Sequence, residues 1–155
     1  MTDYVLAKWL HILSSTFLFG TGVGSAFYLL AISLRHDIHA IASITRHVVI
    51  ADCIFTATTA IFQPLSGLWL LRIMGIPATT PWVQWSFILF AIAIACWLPV
   101  IWIQIRLRDI AQVAASHNDA LPAAYWFYFK CWVALGLPAL FAFLGVFYLM
   151  VAKPV

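Results

Sequence analysis

Residues 4–34 read YVLAKWLHILSSTFLFGTGVGSAFYLLAISL, with Lys8 the one Asp, Glu, Lys or Arg in the run. A bilayer span needs about 20 consecutive, mostly apolar residues. This stretch meets that length with residues to spare, so it is expected to form a helix through lipid. It does not read as a cleavable leader. Asp3 precedes Lys8, and the apolar run does not stop at a small-residue cleavage site.

Three further stretches pass the same test. The four spans are placed at residues 4–34, 45–74, 82–105 and 125–151 of one integral membrane domain covering 1–155. The expected fold is all-α: a four-helix transmembrane bundle, up-down, with both termini on the same side of the membrane. Composition agrees. Of 155 residues, 65% are hydrophobic and 8% charged, with a mean hydropathy of +1.03. A soluble domain carries roughly 25% charged residues, so the lipid bilayer is the expected solvent. A net charge of +3 without any basic run gives no footing for nucleic acid. Cys53, Cys96 and Cys131 have no paired spacing and read as buried thiols.

The connections are short and polar. Arg35-His36-Asp37 opens the first, and the glycine and prolines of residues 75–81 end one helix and begin the next. Residues 106–115 are able to continue the third helix until Asn118-Asp119 breaks it. Arg35, Arg46, Arg106, Arg108 and Lys130 flank loops one and three; Lys8, Arg72 and Lys153 flank the other side. The positive-inside rule then puts loops one and three in the cytoplasm and both termini outward. Trp9, Trp69, Trp82 and Trp85 are expected to form one interfacial belt, and Trp102, Tyr125, Trp126 and Trp132 the other. Pro64, Pro99 and Pro138 fall inside spans and are expected to kink them, with a central pocket or plain packing as the two consequences.

Ionisable groups in hydrocarbon cost roughly 2.5–3.5 kcal/mol on insertion scales, so each needs a reason. His11 leads. Its imidazole is suited either to a haem iron, with Ser14 or Ser15 fixing the tautomer, or to a structural hydrogen bond with a neighbouring helix. His47 belongs at the opposite face, roughly 20 Å away by helical rise, so one iron cannot join the two. Met150 is then the best sixth ligand on chemistry. A second polar line, Asp52, Thr56, Thr59 and Gln63, runs along the second span. Asp52 reads either as half of an ion pair with Arg46, Lys130 or His47, or as a proton relay together with His47 and Gln63. Thr56 and Thr59 are expected to bond back to their own helix. His36, His39 and His117 lie in loops and read as solvated.

Several segments carry a likeness: Lys8-x-x-His11, FGTGVGSA at residues 19–26, RHVVIAD at 46–52, QPLSG at 63–67, CWLPV at 96–100 and YLMVAKP at 148–154. Together they resemble a bacterial family of predicted four-helix integral membrane proteins, a domain of unknown function. The Lys-x-x-His opening and the terminal Lys-Pro also resemble HemJ-type protoporphyrinogen oxidases, in which the first-helix histidine is implicated in b-haem binding. That likeness implies His11 as axial ligand, with Lys8 and Lys153 near the porphyrin propionates. The acidic and basic residues of that group's later helices are not found here.

The leading functional expectation is a b-haem redox protein of the bacterial cytoplasmic membrane. His11 would hold the iron, Ser15 would serve its tautomer, and Gly22, Gly67 and Gly145 would give the macrocycle room. Electrons would pass between a quinone or porphyrin-like substrate and a partner. The first alternative is a non-catalytic membrane subunit or assembly factor that docks another membrane protein, or its own copy, through Gly20 and Gly24. The second is a small proton-coupled transporter built on Asp52 and the Thr56–Gln63 line.

Overall fold

A computed structural model describes residues 2–154. Helix α1 spans Thr2–Ser33. The chain turns at His36, in the left-handed region at φ 58°. Asp37 then starts the next helix, its carboxylate accepting the Ala40 N–H at 3.0 Å, as an N-cap residue does. Helix α2 (Ile38–Ala51) runs through a π-helical turn (Asp52–Thr56) into α3 (Ala57–Met74). The three form one continuous rod from Ile38 to Met74. Gly75 closes α3 at φ 66°, where a side chain would be strained. Helix α4 (Pro81–His117) has proline in its first turn and ends at Asn118, again left-handed. Helix α5 spans Ala123–Ala152.

All four expected spans are present. Each is long and apolar enough to cross a membrane, and among the described residues there is no strand. Two boundaries move. The second rod starts at residue 38 rather than 45, because Asp37 caps it and Ile41 and Thr45 pack into the core. The third does continue past Arg106, as far as His117. Pro64, Pro99 and Pro138 all sit within unbroken helices.

Packing is uneven along the bundle. Leu29, Ile41, Leu107, Ala111, Tyr125 and Phe129 belong to one buried cluster beside loops one and three. In that region the Ser33 and Tyr125 hydroxyls are 2.8 Å apart, and His36 lies against the Trp126 ring. Lipid tails are as apolar as leucine, so burial drives helices together only where they leave the hydrocarbon. At about 1.5 Å per residue the 37-residue rods are about 55 Å long, well beyond a core of about 30 Å. The surplus length is where such a core can form. Within it Trp132 and Tyr125 are buried, and at the far end Trp82 is buried too. These three are packing residues rather than members of the expected belts.

The π turn is where the second rod changes neighbours. Below it α2 lies between α1 and α4; above it α3 packs along α1. A π turn holds one extra residue, so α3 is rotated from the face that an unbroken α-helix would present.

Candidate functional site

His11 faces α3. Its Nδ1 is 2.8 Å from the Ser66 hydroxyl, and Ser66 Oγ donates to the Gln63 carbonyl at 3.0 Å. The Gln63 amide approaches the other ring nitrogen, 3.4 Å from Nε2. The arrangement closes on itself: amide N–H to Nε2, Nδ1–H to Ser66, Ser66 O–H to the backbone of Gln63. An imidazole that accepts at one nitrogen and donates at the other is neutral. Gly67 lies beside the ring, where an added Cβ would make van der Waals contact with the His11 Cε1 carbon at 3.4 Å. Ser15, expected as the tautomer partner, donates instead to the carbonyl of Ile12 at 2.7 Å. Ser14 is buried with its hydroxyl unpaired.

These residues do not fit a haem. Both nitrogens of His11 are engaged by α3, and the Gln63 amide lies where iron would approach Nε2. The cavity beside Ser15, Phe19, Gln63, Phe90 and Phe143 measures about 20 Å³. That is room for one water, against several hundred Å³ for a typical ligand pocket. Gly145 does not clear space for a macrocycle; a Cβ there would meet a Leu89 methyl carbon at 2.8 Å. Gly22 faces open space, and Gly67 backs the histidine itself. Lys8 lies over the Tyr4 ring and Lys153 over the Trp82 ring. The hydrogen-bond partners of His11 are Ser66 and Gln63.

The second polar site lies at the π turn. Asp52 is 4% exposed. Thr56 donates to its carboxyl at 2.8 Å, so Thr56 does not spend its hydroxyl on the backbone, whereas Thr59 does. Across the interface the buried Gln104 of α4 and the Trp97 indole face the same carboxyl. The indole N–H points at it without reaching hydrogen-bond geometry, and the Gln104 carbonyl oxygen is left unpaired. Among the described residues no cation pairs with Asp52. Among the described residues the one ion pair is Arg108–Asp109. The expected partners Arg46, His47 and Lys130 lie on the exposed surface of the bundle, and His47 is bonded to the Ser43 carbonyl at 2.7 Å.

The proposed relay of Asp52, His47 and Gln63 is therefore not assembled. Gln63 belongs with His11, eleven residues (about 16 Å) along the rod from Asp52. His47 faces outward. The partners that sequence reasoning missed are Gln104 and Trp97. A signal existed: Trp97, Val100, Gln104 and Leu107 recur at three- and four-residue steps, a helical face carrying one amide among apolar neighbours. Cys53, Cys96 and Cys131 are free as expected, but Cys53 is exposed and Cys96 and Cys131 are only partly buried. His39 reaches Asn118 at 3.3 Å, linking loops one and three.

A family model described as a predicted integral membrane protein (DUF2269) matches residues 5–154. No curated protein and no solved structure matches the chain. The likeness to HemJ-type oxidases has no counterpart in these comparisons.

Proposed function

For a chain that belongs to the DUF2269 family of predicted integral membrane proteins, we propose a proton-exchanging role, with the Asp52 carboxyl as the working group. One observation carries the reading: a buried carboxyl inside a membrane span, held by neutral side chains and matched by no cation. An intramembrane acid of this kind points to a proton or ion pathway. A structural ion pair would supply an arginine or lysine. Thr56 instead supplies a neutral donor that orients the carboxyl, with Gln104 and Trp97 facing it, while leaving its charge free to change.

The position suits the role. Asp52 lies six residues, about 9 Å, inward from Arg46 along the rod, so a proton has a short path to it from the loop-one side. The π turn adds a second support, since such turns are frequent at functional sites. The closed His11 network marks the other half of the span. Between Thr56 and Gln63 the threonines bond to their own backbone, which interrupts polar continuity. Exchange is accordingly assigned to one face of the membrane.

The test is labelling with a lipid-permeant carbodiimide, to whose central carbon a protonated carboxyl in apolar surroundings adds through oxygen, its proton passing to the carbodiimide nitrogen. The full-length protein in native membranes should be modified at Asp52, less so as the pH rises. Asp52→Asn should fold, keep its bond to Thr56 and take no label. A folded wild-type protein unlabelled at Asp52 at every pH would overturn the reading.

A further inference from the structure

We propose that the trough between α1 and α2 binds one anionic phospholipid, acyl chain inward and phosphate at Arg46, beside His47. This site is separate from Asp52. The trough has a volume of about 330 Å³ and is open on one side, within the range of about 300–1000 Å³ that ligand sites occupy. Its floor is made of small residues, among them Gly24, Ser25 and Ala51. Tyr28 and His47 stand at one end and Phe55 at the other.

Depth and charge select the occupant. Arg46, Arg106 and Lys130 all sit at the loop-one and loop-three end of their helices, a level that marks the edge of the hydrocarbon. Tyr28 and His47 share that level. From His47 to Phe55 the trough descends eight residues, about 12 Å, into the apolar layer. A phospholipid has this polarity along its length.

The polar end is rich in cations and donors. Arg46 is exposed and adjacent, with Arg35 and His39 above. His47 gives Nδ1–H to the Ser43 carbonyl, so Nε2 of the neutral ring has no proton to offer a phosphate, and the exposed Arg46 guanidinium is the donor at this end. The nearby acid, Asp37, is committed to capping α2. Basic residues at this depth attract anionic headgroups.

The trough also ends too soon for a helix. Phe17 stacks on Phe55 with ring centroids 5.9 Å apart and closes the inner end.

The experiment is native mass spectrometry of the full chain extracted in mild detergent. The wild type should carry one retained phospholipid, enriched in anionic headgroups over the total membrane extract. Gly24→Leu fills the trough at a position where an added Cβ meets no atom within 4 Å. It should fold, with an unchanged melting temperature, and retain at most about a tenth of the lipid, a loss of about 1.4 kcal/mol. Arg46→Gln combined with His47→Gln should keep a lipid but lose the anionic preference about fivefold. Equal lipid retention in wild type and Gly24→Leu would overturn the proposal. So would a lipid-free dimer that Gly24→Leu dissociates, since that assigns the trough to a second copy.

Discussion

His11 shows how much one residue's placement reveals before its partner is known. An imidazole in the first span had to be paired, because an unpaired polar group in hydrocarbon is expensive. Which partner it has depends on the rotation of α3, and that rotation brings Ser66 and Gln63 to it. Because the three groups close a ring, their contributions should couple. His11→Ala is expected to lower unfolding stability by about 1–3 kcal/mol, leaving the Gln63 amide and Ser66 hydroxyl short of partners. In a double-mutant cycle on thermal unfolding in detergent, His11→Ala with Ser66→Ala should cost less than the sum of the singles by at least about 0.5 kcal/mol. Strict additivity would mean that the ring and the hydroxyl do not work as a pair. Tyr125→Phe belongs to the same scale. It removes the partner of the Ser33 hydroxyl at a fully buried position, with an expected loss of about 1–2 kcal/mol, read from the same melting curves.

The helices themselves were largely legible, and their ends partly so. Pro81, Gly75 and Asn118 mark stops and starts by conformational rules that need no tertiary context. The early start of α2 was missed because Ile38 to Ser43 reads as weakly apolar. Its helix comes from the Asp37 cap and from Ile41 entering the core. Asp37→Ala should therefore cost about 1 kcal/mol, measured by denaturant unfolding; no change would show that packing alone starts the helix. The π turn left no trace in the pattern, since one extra residue does not alter composition. Its consequence can be tested by deletion. Removing Ile54, which faces outward, should restore a regular helix and leave α3 with the same face toward α1, because the turn already absorbs that one residue. Helix content by circular dichroism and the melting temperature should both stay close to the wild type, with Gln63 and Ser66 still at His11. A large fall in melting temperature would mean that the turn does more than set the rotation of α3.

At the scale of the molecule, charge at the ends and packing in the middle answer different questions. The excess of Arg and Lys beside loops one and three predicts that these loops face the cytoplasm. A reporter fused to the C-terminus should be active in its extracytoplasmic form and inactive in its cytoplasmic form; the opposite result reverses the orientation. The tight core lies at that same end, so the opposite half, where α3 packs mainly along α1, is expected to exchange amide hydrogens sooner. Hydrogen-exchange mass spectrometry should find α3 opening before the start of α5. Uniform protection across the two would contradict an uneven core.

The amino-acid sequence by itself determined the solvent, the number of spans and the positions that have to be explained. Those follow from local quantities: the length of apolar runs, the residues that break helices, and the cost of polar groups in lipid. Only the tertiary structure decided what each polar group meets. Asp52 faces Gln104 and Trp97 rather than Arg46, and His11 meets Ser66 and Gln63 of α3. The reason is rotational. One extra residue at the π turn swings the upper half of the rod through a large angle, and in a bundle that angle alone chooses the neighbour.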